Sequence, residues 1–118
     1  MADETGQIDW EHLDSIADGF APDFMEVFRA FAEEMPDLIG SLNEHLASGD
    51  LDAVWKIAHQ VKGSSANFGF IGVSNPASQI ELLAKAGVTE GLASLSSQLL
   101  PSYEAALAEL LAARNVSL

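Results

Sequence analysis

Apolar residues recur at steps of three and four along almost the whole chain of 118 residues, which is the spacing of one face of a helix. No segment has the alternation of apolar and polar residues that is typical of a strand. Short joints that contain glycine separate the periodic segments, near Gly19, Gly49, Gly69 to Gly72 and Gly87. The pattern therefore predicts an all-α fold: an antiparallel up-down four-helix bundle with an additional short N-terminal helix.

Capping residues and prolines set the expected limits of the helices. The expected helices are Trp10 to Ala17, Pro22 to Ala47, Leu51 to Phe68, Asn75-Pro76 to Ala86, and a last helix capped by Thr89. Pro36 and Pro101 fall inside two of them, and each removes one backbone hydrogen bond, so we expect a kink at each. We expect residues 1–118 to form a single domain, with residues 1–7 flexible.

The charge of the chain excludes several kinds of partner. Eighteen acidic side chains against five basic ones give a formal charge of −13, which argues against binding to nucleic acid or to anionic membranes. No apolar run approaches the roughly 18 residues of a membrane span. The chain has no cysteine, so disulfides and thiolate metal sites are excluded, and we expect a reducing compartment, the cytoplasm.

His59 stands out within the third predicted helix. At about 100° per residue its side chain points roughly 150° away from the apolar face, toward solvent. Lys62 and Gly63 follow at three and four residues, so they are its neighbours on the helix surface. A glycine inside a helix costs about 0.8–1.0 kcal/mol against alanine, and here it leaves room beside the imidazole. On helical phase alone, however, an incidental surface histidine is the favoured interpretation.

The residues around His59 carry a resemblance to a known family. The segment His59, Lys62, Gly63, Ser64 and later Gly69 resembles the His-x-x-Lys-Gly-Ser signature of histidine-containing phosphotransfer (HPt) domains. The resemblance extends over nearly the whole chain, because the helix lengths and the Gly-Asp turn before this helix also fit. It implies a helical bundle that carries a phosphoryl group on the histidine between aspartates of receiver domains.

The resemblance also implies a role for each residue of the motif. His59 would be the phosphoacceptor, through Nε2. Lys62 would stabilise the phosphoryl oxygens, and Gly63 would open the approach to the ring. The receiver supplies the divalent ion and the acid, so we expect no cofactor and no metal in this chain. We expect a monomeric carrier without ATP-dependent kinase activity, and the implied partners are receiver domains of response regulators and hybrid histidine kinases.

Three further residues are candidates for docking the partner: Trp55, Lys56 and Ala66. Trp55 lies one turn before His59, nearer the exposed side of the helix than its core side. It is either a boundary residue that packs on the next helix or part of an apolar docking rim, and the sequence leaves both open. Lys56 and Lys62 flank His59 at three residues on either side, so two of the five basic residues lie beside it.

Two alternatives to a phosphocarrier remain. The first is the dimerising histidine domain of a sensor kinase, but acidic and proline residues normally follow that histidine, whereas Gln60, Lys62 and Gly63 follow here. The second is a non-catalytic helical bundle that docks a receiver or kinase without carrying phosphate. Metal chemistry has no support, because neither a Glu-x-x-His nor a His-Glu-x-x-His motif occurs.

Overall fold

Helices account for all of the regular secondary structure in residues 6–118, the part of the chain that the computed structural model describes. The five helices are α1 (Trp10–Ala17), α2 (Pro22–Ala47), α3 (Leu51–Asn67), α4 (Ile71–Lys85) and α5 (Leu92–Ala113). The predicted all-α class is therefore confirmed. Aspartates cap the N-termini of α1 and α3: the side chains of Asp9 and Asp50 accept hydrogen bonds from the backbone N–H groups of His12 and Ala53.

The four long helices form a ring in which α2 packs on α3, α3 on α4, α4 on α5, and α5 on α2. Their short connections make successive helices antiparallel, as in an up-down bundle. The core runs through the middle of the ring. Its largest fully buried side chains are Phe28, Phe70, Ile8, Leu13, Met35, Ile39, Leu42, Ile80, Leu92, Leu99, Leu110 and Val54.

The short helix α1 is tied to the junction between α3 and α4. The backbone N–H of Asp9 donates to the carbonyl of Gly69 at 2.7 Å. Gly69 has a φ of +73°, and a Cβ at this position would lie 2.8 Å from the Asp9 carbonyl oxygen, so only glycine permits the contact. A second tie joins α1 to the end of α5. The guanidinium of Arg114, just after α5, pairs with Asp14 and lies 4.2 Å from the centre of the Trp10 ring.

Two predicted helix starts were wrong. Helix α4 begins at Ile71, where the carbonyl of Phe70 accepts hydrogen bonds from the next turn, and Pro76 lies inside the helix rather than at its start. Pro76 is buried, so packing in the core offsets its helix-breaking tendency. Helix α5 begins at Leu92 after Gly91, which takes the left-handed conformation with a φ of +85°; Thr89 does not cap it with its side chain.

Helix α2 continues through Pro36 without interruption. A proline at position 36 cannot donate to the carbonyl of Ala32, four residues earlier. The hydroxyl of Tyr103 on α5 donates to that carbonyl instead, at 2.7 Å in the core. Burial raises the pKa of the Tyr103 hydroxyl, so it keeps its proton for this bond. A side chain 71 residues away thus replaces the backbone bond that proline removes.

Candidate functional site

His59 lies midway along α3 with its ring turned away from the core. Its side chain is 63% exposed, which confirms the orientation predicted from helical phase. The residues on the opposite face of this helix, Val54, Ala58 and Val61, are fully buried. The apolar stripe that anchors α3 in the bundle therefore presents His59 to solvent.

A carboxylate from the neighbouring helix joins His59 and Lys62. Oε2 of Glu81 on α4 lies 2.8 Å from Nδ1 of His59, and Oε1 of the same carboxylate lies 2.6 Å from Nζ of Lys62. The Glu81 side chain is only 13% exposed, so both contacts are partly shielded from water. One carboxylate thus holds the ring and the cation in a fixed relation.

The Glu81 contact determines the tautomer of the imidazole. The Lys62 ammonium, and after it the His59 ring, lower the pKa of the Glu81 carboxyl, while partial burial acts against them. Glu81 is therefore ionised at neutral pH and can only accept hydrogen bonds. Nδ1 of His59 must donate, so in the neutral ring Nε2 carries the lone pair. No group in residues 6–118 hydrogen-bonds that Nε2.

Lys62 occupies the position that its spacing from His59 predicts, but its charge is shared. The side chain is 35% exposed and forms an ion pair with Glu81. Lys62 is therefore held beside the imidazole as part of a three-residue cluster with His59 and Glu81. A lysine ammonium has three N–H donors, so Lys62 has donors left besides the one that faces Oε1 of Glu81.

Gly63 and Ala66 place little or no side chain on the helix surface that follows His59. Both are exposed. A Cβ added to Gly63 would meet no atom within 4 Å, so the fold does not require glycine here for packing. Gly63 follows His59 by one turn, so the helix surface next to the ring carries no side chain there.

Trp55 and Lys56 lie one turn before His59 on α3. Trp55 is half-buried, and its indole N–H donates to Asp52 at 3.2 Å. The ammonium of Lys85, on α4, sits 4.9 Å from the centre of the Trp55 ring. Lys56 pairs with Asp52 at 2.8 Å and is 59% exposed. Trp55 thus packs toward α4 and keeps part of its ring at the surface, and its part in docking a partner stays a prediction.

On the other side of α3 an apolar groove runs along α2 and α1. Two adjoining depressions of about 200 and 580 Å³ form it. Both include Val27, which is 60% exposed, and both reach the last turn of α3 at Asn67. Ile16 of α1, 39% exposed, lines the larger one. His59 therefore stands between this groove and the α4 side of the bundle.

Residues 6–118 contain no group of three His, Cys, Asp or Glu side chains that could hold a metal ion. Within the same part of the chain, no helix is both long and apolar enough to span a membrane.

Glu81 is the site residue that the sequence did not reveal. It lies 22 positions after His59, and the packing of α4 on α3 brings the two together. The sequence does contain a signal, because Glu81 is the only acidic residue in α4. A lone carboxylate in the helix that follows a reactive histidine could have been proposed as its partner.

Comparison with known proteins agrees with this geometry. The family model described as "Hpt domain" matches residues 26–113, more than half of the chain. The chain belongs to the Hpt domain family. Searches of curated proteins and of solved structures gave no match. Hpt domains are phosphocarriers of phosphorelays and interact with receiver domains, and the match includes α3 and α4, which carry His59, Lys62 and Glu81.

Proposed function

We propose that this Hpt domain accepts a phosphoryl group from a receiver-domain aspartate on Nε2 of His59 and passes it to another receiver domain. The observation that carries the proposal is the exposed His59 ring whose Nδ1 is held by Glu81 at 2.8 Å. A histidine in this state combines an accessible lone pair with a fixed orientation, which an incidental surface histidine lacks. His59 is the nucleophile, and Glu81 is a positioning residue.

The transfer step balances without a catalytic base. The Nε2 lone pair attacks the phosphorus of the aspartyl phosphate in line, the bond from phosphorus to the aspartate oxygen breaks, and the carboxylate leaves with the electron pair. Nδ1 keeps its proton, so the phosphorylated ring is cationic and the Glu81 carboxylate balances it. Return of the phosphoryl group to a second aspartate is the same step in reverse.

Lys62 stabilises the charge that arrives with the phosphoryl group. The group brings about −1.5 to −2 charges to a protein that already carries −13. The Lys62 ammonium is tied to His59 through their common partner Glu81, and in the proposal it donates both to that carboxylate and to the phosphoryl oxygens.

The partner in this proposal docks over the exposed face of α3. Gly63 and Ala66 admit it to the ring, Trp55 and Lys56 contact it on one side, and exposed Val27 offers apolar surface on the other. The proposed partners are receiver domains of response regulators and hybrid histidine kinases. We propose a monomeric, single-domain carrier that acts in the cytoplasm, without ATP-dependent kinase activity of its own.

The experiment is phosphotransfer profiling against all receiver domains of the source organism. Each phosphorylated receiver is mixed with the protein, and the label that moves is tested for the acid lability of phosphohistidine. His59→Gln should remove the label and leave the fold intact, because an exposed substitution changes stability by under about 0.5 kcal/mol. His45→Gln is the matched control, because His45 is half-buried on α2 and bonds Ser41 of its own helix; it should be labelled normally.

Three results would contradict the proposal. If no receiver labels the wild type, or if His59→Gln is labelled as well as the wild type, His59 is not the phosphoacceptor. If ATP alone labels the purified protein, the chain has a kinase activity that the proposal denies.

A further inference from the structure

Three of the five basic residues gather along one edge of this acidic protein. Lys56, Lys62 and Lys85 all lie on the surface shared by α3 and α4, whereas Arg29 and Arg114 lie on other helices or at the chain end. Lys56 and Lys62 form ion pairs with Asp52 and Glu81, so Lys85 is the lysine of this group whose charge has no carboxylate partner among residues 6–118. The group adjoins His59, which shares the Glu81 carboxylate with Lys62.

Trp55, Lys56 and Lys85 form what we name the basic strip. The ammonium groups of Lys56 and Lys85 lie 5.7 and 4.9 Å from the centre of the Trp55 ring, within the range of cation–π attraction. Lys56 is paired with Asp52, but no carboxylate in residues 6–118 lies within 4.0 Å of the Lys85 ammonium. The strip thus holds a positioned cation that still has unused donors.

An exposed apolar side chain continues the strip. Leu82 lies three residues before Lys85 on the same surface of α4 and is 68% exposed, the largest exposure among the large apolar residues described. Trp55 precedes His59 by about one helical turn on α3, and Lys85 follows Glu81 by about one turn on α4. The strip therefore begins about one turn from the His59–Glu81 contact.

The groove on the other side of His59 has the opposite charge. The acidic residues that line it are Asp18, Asp23 and Glu34, around the apolar Val27 and Ile16. Within residues 6–118, His59 therefore stands between a groove that carries unpaired carboxylates toward α1 and α2 and a strip that carries the unpaired Lys85 ammonium toward α4. A partner that covers His59 meets both charges at once.

We propose that the basic strip binds a carboxylate-bearing loop of the receiver domain, and that this polarity fixes the orientation in which the receiver docks. The proposal rests on the proposed phosphoryl transfer. A carboxylate is the group that complements the Lys85 ammonium beside the Trp55 ring, which is unpaired in the described part of the chain, and the strip adjoins His59, over which the receiver has to dock. Complementary charge of this kind raises the rate of encounter and suppresses wrong orientations. The apolar Leu82 and Trp55 add contact area that does not depend on charge.

The decisive comparison is between Lys85→Glu and Arg29→Glu. Each variant replaces one exposed positive charge by a negative one, so both change the overall field equally. Arg29 lies on the side of α2 that faces α5, in a depression with Tyr103 and Leu107, away from His59. For a carboxylate about 6 Å away in water, reversing one charge lowers the association rate about tenfold, and Lys85→Ala lowers it about threefold.

The assay is the rate of phosphoryl transfer from the receiver that labels His59 fastest, measured against receiver concentration at low and high salt. We expect Lys85→Glu to lower kcat/KM about tenfold at low salt through a higher KM, with the loss fading at about 1 M salt, where the screening length is about 3 Å. Arg29→Glu should match the wild type. The indole N–H signal of Trp55 should shift when the unphosphorylated receiver is added.

The outcomes separate this inference from the proposed function. If His59 is labelled but Lys85→Glu and Arg29→Glu behave alike, the strip does not bind the receiver, while the carrier function stands. The same conclusion follows if Lys85→Glu lowers the limiting rate at saturating receiver and leaves KM unchanged. If no receiver labels His59, the proposed function fails, and the strip loses its partner with it.

Discussion

Replacing Gly63 separates access to His59 from stability of the helix. Gly63 lies inside α3, is exposed, and has open space where a Cβ would be. Gly63→Ala should therefore gain the helix-propensity difference of about 0.8–1.0 kcal/mol, which raises Tm by about 3–6 °C in a domain of this size. Gly63→Leu should gain nearly as much, because leucine is close to alanine in propensity.

The effect on phosphotransfer should have the opposite sign. Interfaces pack about as densely as protein interiors, and additional methylene groups forced into such packing cost about 1–3 kcal/mol. Gly63→Leu should therefore lower kcat/KM for transfer from a phosphorylated receiver by about 5- to 150-fold, while Gly63→Ala stays closer to the wild type. A protein that is more stable and yet slower is the signature of an access requirement.

Gly40 provides the matched control. It is an exposed glycine inside α2, and a Cβ there also meets no atom within 4 Å. It follows Arg29 by three helical turns and thus lies on the α5 side of α2, away from His59. Gly40→Leu should raise Tm and leave transfer unchanged. If Gly63→Leu transfers at the wild-type rate, or if Gly40→Leu slows transfer equally, docking over Gly63 is refuted.

The remaining predictions concern the cluster and the core. Lys62→Ala should slow transfer, and more so at low salt, because it removes the cation beside the phosphoryl group; equal loss at all salt concentrations would contradict this. Glu81 has a lowered pKa, so its contribution to stability is present above its ordinary value of 4.5 and is lost as the pH falls through the folded value. The free energies of unfolding of the wild type and Glu81→Gln, measured with urea, should therefore converge in acid. A difference that grows as the pH falls would contradict this role of the ionised carboxylate. Tyr103→Phe should lower the free energy of unfolding by about 1–3 kcal/mol by leaving the Ala32 carbonyl unpaired. In the Tyr103→Phe protein, Pro36→Ala should recover stability, because the N–H of residue 36 can then donate to the Ala32 carbonyl. If the effects of the two substitutions on the free energy of unfolding simply add, Tyr103 does not replace the bond that Pro36 removes.

Much of the site could be predicted from one helix. The orientation of His59 and its proximity to Lys62 and Gly63 depend only on the helical repeat, which holds wherever α3 packs. The apolar stripe through Val54, Ala58 and Val61 then determines which face is buried. The third residue of the cluster, Glu81, could not be predicted in this way, because its contact depends on the register between α3 and α4.

The sequence by itself determined the helical class, the C-terminal ends of α1 to α4 near left-handed glycines, and the exposed position of His59. These features depend on propensity and period, which act within a few residues. Only the tertiary structure decided what Pro36 would do. The sequence predicts that Pro36 removes one backbone hydrogen bond, but it does not predict that Tyr103 reaches across from α5 to the Ala32 carbonyl. A buried carbonyl needs a donor, and packing alone determines which distant side chain supplies it.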